Sequence, residues 1–71
     1  MKIKYDPTSD VLYVEFRDTT VTTKRLTDDI AIDYDADNHV AGVEILSARK
    51  NVFLKTKDFA VQVEGFLQPV L

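Results

Sequence analysis

The sequence predicts a small α+β domain: an antiparallel β-meander, one short helix packed on one face, and a C-terminal segment forming a further strand. Three observations carry this expectation. Apolar and polar residues alternate with period two in four stretches before residue 46, the pattern of half-buried strands. Clusters of Asp, Asn, Ser and Pro separate these stretches, and the chain has only two glycines and two prolines, so turns rest on Asp and Asn chemistry. After Leu46 the apolar spacing changes to three and four, as on a helix face.

Taken in order, Lys2-Ile3-Lys4-Tyr5 alternates, and Asp6-Pro7-Thr8-Ser9-Asp10 is a turn in which Pro7 presets φ and Asp and Ser bond nearby backbone. Val11 to Arg17 places Leu12, Val14 and Phe16 on one face, with Tyr13, Glu15 and Arg17 on the other, so the two stretches form a hairpin. Thr19 to Thr23 is β-prone, but only Val21 and Leu26 are strongly apolar before Asp28, which predicts an edge strand. Ile30, Ile32 and Tyr34 share a face. The turn Asp35-Ala36-Asp37-Asn38-His39 follows, with Asn38 the residue suited to the left-handed conformation of a bulged loop. Val40 to Ile45 is the partner strand, with Ala41, Val43 and Ile45 inward and Glu44 outward. Gly42 inside it marks a bulge or a close approach. Ile45, Ala48 and Val52 predict a helix over about 47–55 with Ser47 as N-cap. Phe59, Val61 and Val63 then alternate with Ala60, Gln62 and Glu64. This favours a strand within 58–67 over the helix that Phe59, Val63, Phe66 and Leu67 would also fit.

Composition narrows the function classes. Seventy-one residues make one domain, 1–71, and 45% apolar with 30% charged residues at net charge −3 excludes intrinsic disorder. No apolar stretch approaches the roughly 18 residues of a transmembrane helix, and Met1 to Asp6 lacks the apolar core of a secretory signal. Without cysteine there is no disulfide framework, thiolate nucleophile or cysteine zinc site, and a reducing cytoplasm is the expected compartment. A chain this small buries little surface alone, which predicts a homodimer. The sequence Gly65 to Leu71 has four large apolar side chains in seven positions, so residues 59–71 are expected to pack against the second copy.

Charge is unevenly placed. Residues 28–44 hold six acids and no Lys or Arg, whereas residues 45–57 hold Arg49, Lys50, Lys55 and Lys57 and no acid. Four cations on an acidic chain, without a glycine-rich phosphate loop or an aromatic platform, make a solvated face and not a nucleic-acid interface. The segment from Asp33 to Glu44 has acids at loop positions one, three, five and twelve, as in an EF-hand calcium loop. Asp33, Asp35, Asp37 and Glu44 are therefore the candidate metal ligands. Against them, position six is Asn38 instead of Gly, and the flanks have the period of strands where an EF-hand needs helices. Catalysis has less support still. The single histidine, His39, lies in a turn, no nucleophile elbow surrounds Ser9 or Ser47, and the chain has little room for a water-excluding pocket around Asp33 and Glu44. No enzyme activity and no cofactor are expected.

Lys4-Tyr5-Asp6 ahead of a turn, Asp10-Val11-Leu12-Tyr13-Val14, Asp33-Tyr34-Asp35, and Gly42-Val43-Glu44-Ile45-Leu46 with Ala48 resemble the YuzE-like family. These are small bacterial and archaeal proteins grouped as a domain of unknown function. The resemblance covers about residues 2–50 and departs at Asn38, where the family's turn commonly has Gly. It transfers no catalytic or binding residue. It implies an uncharacterised cytoplasmic protein, and, because some members are encoded beside another small protein, an antitoxin-like role with a second small protein as partner.

Overall fold

In a computed structural model describing residues 1–53, the alternating stretches become five antiparallel strands. They are β1 (Lys2–Asp6), β2 (Val11–Glu15), β3 (Thr22–Arg25), β4 (Ile30–Tyr34) and β5 (Val40–Ile45). They form one sheet in the order β1-β2-β5-β4-β3. β1 and β2 form the expected hairpin, with Ile3 opposite Val14 and Tyr5 opposite Leu12. β4 and β5 form the second hairpin, Ile30 facing Ile45 and Ile32 facing Val43, and its turn has Asn38 at φ 65°. The register shifts at Asp33/Tyr34 of β4, where Ala41 is the extra residue of β5, so Gly42 adjoins a bulge.

A simple meander is not what forms. β3 lies at the far edge, and the segment from Phe16 to Val21 carries the chain past β5 and β4 to reach it. The composition of β3 explains this placement: Thr22, Thr23, Lys24 and Arg25 are all exposed and offer nothing to an apolar interior. β5 takes the centre because Val43 and Ile45 can pair on both sides, with Val14 and Leu12 of β2 and with Ile32 and Ile30 of β4. Edge placement agrees with expectation, though the strand runs over 22–25 instead of 19–23.

The helix is the larger correction. Among the described residues the fold is mostly β, with no helix as long as seven residues, so it is not an α+β domain with a helix packed on the sheet. In place of a helix over about 47–55 there is one five-residue π-helical turn, Arg49–Phe53. Ser47 is not an N-cap of the ordinary kind: its φ is 50°, and its carbonyl accepts from the Lys50 and Asn51 amides. Ile45 belongs to β5 and Val52 is exposed, which leaves Ala48 as the single fully buried residue of that spacing. Three apolar positions are too few to sustain a helix, which at this length depends on tertiary packing. The expected strand within 58–67, and the expected packing of residues 59–71 against a second copy, lie outside the described residues.

One sheet face is apolar and carries Ile3, Leu12, Val14, Ile30, Ile32, Val43 and Ile45. Only Leu12 among these is buried, while Ile3 is 37% exposed and Phe16, continuing the β2 alternation, is 39% exposed. The other face carries Lys4, Tyr13, Glu15, Ala31, Asp33, Gly42 and Glu44. None of the helices among the described residues is long and apolar enough to cross a membrane.

Candidate functional site

Polar chemistry gathers at three places, each built by strand register. The first spans the centre of the polar face. Asp33 is only 9% exposed, and both its oxygens are used: Tyr13 donates to Oδ2 at 2.6 Å and Thr23 donates to Oδ1 at 2.5 Å. Thr23 sits directly opposite Asp33 on β3. Tyr13 is two strands away on β2, and its ring must pass over β5 to arrive. Gly42 makes that passage possible, because a β-carbon there would fall on the Tyr13 hydroxyl oxygen and 2.8 Å from its Cζ. The hydrogen bond to the Asp33 carboxylate, assisted by burial, pushes the Tyr13 phenol up to about 12. Lys4 stands 5.9 Å over the Tyr13 ring and 3.7 Å from Glu15.

The second place is the turn between β4 and β5. Asp35 Oδ1 accepts from the amides of Asp37 and His39, each at 2.9 Å, and Oδ2 pairs with Arg17 at 2.8 Å. The His39 amide bond, then that of Asp37 and the Arg17 charge, hold the Asp35 carboxyl below the usual carboxylate range. Asp35, Asp37 and His39 bring their ligand-type atoms within 4.8 Å of one another. Of the four acids singled out in the sequence, Asp35 and Asp37 thus meet, joined by His39. Asp33 is engaged by Tyr13 and Thr23, and Glu44 stands on β5 opposite Tyr13 and Ala31. Asp35 is already saturated by two amides and a guanidinium, as turn chemistry alone requires.

The third place was not foreseen. Asp10, at φ 58°, ends the β1–β2 turn. Its Oδ1 accepts from the Tyr5 hydroxyl at 2.8 Å and from the Arg49 amide at 3.0 Å, and its carbonyl accepts from the Ala48 amide at 3.0 Å. The Arg49 guanidinium donates to the Pro7 carbonyl at 3.0 Å. Tyr5 also meets the Phe53 ring edge-on at 4.9 Å. Asp10 therefore caps the π-helical turn from 39 positions away, a role Ser47 was expected to fill. Burial first, then the bond to Asp10, raises the Tyr5 phenol above its ordinary value.

Signals for two of these roles are present in the sequence. Tyr13 is an aromatic residue on an otherwise polar strand face, and Gly42 interrupts a strand. Together they mark a ring lying over a glycine. Nothing local to Asp10 points to residue 49.

Taken together, these arrangements define a small antiparallel β-sheet domain whose buried polar groups are braces between strands. Residues 2–49 match the profile of a family described as a protein of unknown function, DUF2283, and the chain belongs to that family. No curated protein and no solved structure matches the chain.

Proposed function

We propose that this chain is a non-catalytic, cytoplasmic interaction module that works by associating with copies of itself. The observation that carries this is the apolar sheet face, on which six of seven large aliphatic side chains keep contact with solvent. A sheet with one apolar face is stable when a second layer covers it, and a facing sheet of the same kind interdigitates at about 10 Å. The second copy is the occupant best matched to that face, because the rows of aliphatic side chains carry no charge and a twofold axis sets them against the same rows of a partner. The near-burial of Asp33 and the engagement of Asp35 by two turn amides and Arg17 support a bracing role for these carboxylates over a catalytic one. Within its family we place the chain among YuzE-like members, on the segments from Lys4 to Val14 and from Asp33 to Ala48.

Light scattering on the full chain at tens of micromolar tests the proposal, with a dimer or larger even-numbered assembly expected. Ile3→Lys with Phe16→Lys charges two face positions that a single copy already exposes. The doubly substituted chain should therefore stay folded by circular dichroism while its mass falls twofold. A monomeric intact chain, or an unchanged mass in the folded double variant, overturns the proposal.

A further inference from the structure

The exposed edge of β3 has a hydrogen-bonding pattern that can be read from the ladder. The Leu26 amide donates to the Ile30 carbonyl at 2.8 Å, and pairs in an antiparallel ladder alternate between bonded and non-bonded. Lys24 and Thr22 therefore bond across to Ile32 and Tyr34, and the amides and carbonyls of Thr23 and Arg25 point away from the sheet. Beside this edge, on the apolar side, Thr22, Lys24, Tyr34, Asp35, Ala36 and Asn38 line an open groove of about 420 Å³. Lys24 makes no ion pair among the described residues, and the turn segment bordering the groove belongs to the stretch with six acids and no Lys or Arg.

We infer that two copies join edge to edge through β3, antiparallel about a twofold axis at Thr23, merging two five-stranded sheets into one of ten. With Thr23 opposite Thr23 of the second copy, the two residues exchange both outward hydrogen bonds, and Arg25 falls opposite Val21. Lys24 of the second copy falls opposite Thr22, in the row that continues to Tyr34, which directs its ammonium to the groove lined by Asp35, Ala36 and Asn38, with Asp37 in the same turn. No like charges stand directly opposite, so Lys24, which would discourage strangers from the edge, becomes the residue that sets this register. The occupant is a second copy of this chain because the same edge supplies both a lysine and, in the turn bordering the groove, Asp37, neither of which makes an ion pair among the described residues. The contact rests on the self-association proposed above and adds to it a second surface of different chemistry.

Two measurements decide it. In the intact protein at sub-millimolar concentration, the outward amides of Thr23 and Arg25 should be protected from hydrogen exchange, and should lose that protection on dilution. Arg25→Pro removes one outward amide that the single sheet does not use, at an exposed position that plays no part in holding Asp33, and proline is tolerated on an edge with that orientation. It should keep the far-ultraviolet spectrum and lower the assembly mass at least twofold, leaving the species paired through the apolar face. Lys24→Glu, an exposed substitution that places a further acid beside Asp35 and Asp37, should do the same if the proline variant fails to fold. Amides of Thr23 and Arg25 that exchange freely at every concentration overturn the inference. So does an unchanged mass in either folded variant. Ile3→Lys with Phe16→Lys leaves the β3 edge intact, so loss of assembly there with no response to the edge variants would refute the edge contact alone.

Discussion

Gly42→Ala is the substitution that most sharply tests how the polar face is held together. A methyl group at position 42 would sit on the Tyr13 hydroxyl, 2.8 Å from Cζ and 3.2 Å from the Val14 carbonyl oxygen. The backbone cannot yield without disturbing the pairing of β5 with β2, so the ring must swing away. Asp33 then loses the donor at Oδ2 while staying buried, at about 1–3 kcal/mol for an unsatisfied polar group. Replacing a strand glycine recovers roughly 0.5–1 kcal/mol of backbone entropy, and residual crowding costs about 1–3 kcal/mol. The net loss is about 2–4 kcal/mol, or on the order of 10–20 °C in melting temperature for a domain of this size. Urea denaturation at one fixed protein concentration measures it, and the control is a double-mutant cycle with Tyr13→Ala. Without the ring only the 3.2 Å approach to the Val14 carbonyl remains, so Gly42→Ala should cost much less in that background. Equal costs in both backgrounds would show that Tyr13 is not what the glycine accommodates.

Tyrosinate absorbance should show one step near pH 12, lost in Tyr13→Phe and moved down in Asp33→Asn. Because the folded value lies above the unfolded 10.0, the stabilisation it represents is complete below pH 10 and disappears as pH rises through about 12. A Tyr13→Phe protein with an unchanged alkaline titration would contradict this. In the β4–β5 turn, Asp37→Asn should be near neutral and Asp35→Asn should lower the melting temperature slightly, while millimolar calcium leaves the melting temperature in place. A rise of several degrees with calcium, abolished by those substitutions, would make the turn a metal site. The lowered Asp35 value gives the opposite pH dependence to Tyr13: its contribution is present above pH 3.8 and is lost as pH falls through the folded value. Asp10→Ala should release Arg49 to Phe53, seen as faster exchange of the Ala48 and Arg49 amides with β1 and β2 still paired. Unchanged exchange there would show that Asp10 does not anchor the turn.

Local order was legible wherever one residue's neighbours decide the outcome. Both hairpins follow from alternation, and Asn38 follows from the few residue types that accept φ 65°. The edge position of β3 follows from four residues with nothing to bury. What could not be read is contact between distant segments. Ile45, Ala48 and Val52 have helical spacing, yet Ile45 is claimed by two strand neighbours and the rest is too short to compete. The strand order turns on β2 choosing β5 over β3, a preference visible only once the sheet is assembled. At the candidate sites, the acids of residues 33–44 read as one loop, but strand register gives Asp33 to the sheet interior and Asp35 to the turn.

The crossing from β2 to β3 also sets a sequence of events during folding. Within each of two units, β1–β2 and β3–β4–β5, pairing strands are neighbours along the chain. Their union through β2 and β5 joins residues such as Leu12 and Ile45, 33 positions apart. Closing that long loop costs entropy before any contact repays it, so the union is the slow step. During synthesis, β2 must wait for β5 to be made, with one edge bare until residue 45 emerges. Truncating Val43 at the seam should slow folding, whereas truncating Ile3 should mainly hasten unfolding. Equal effects on both rates would place the seam outside the barrier. A nascent chain with a bare β2 edge is open to capture by any other unpaired strand, including the β3 of a finished copy.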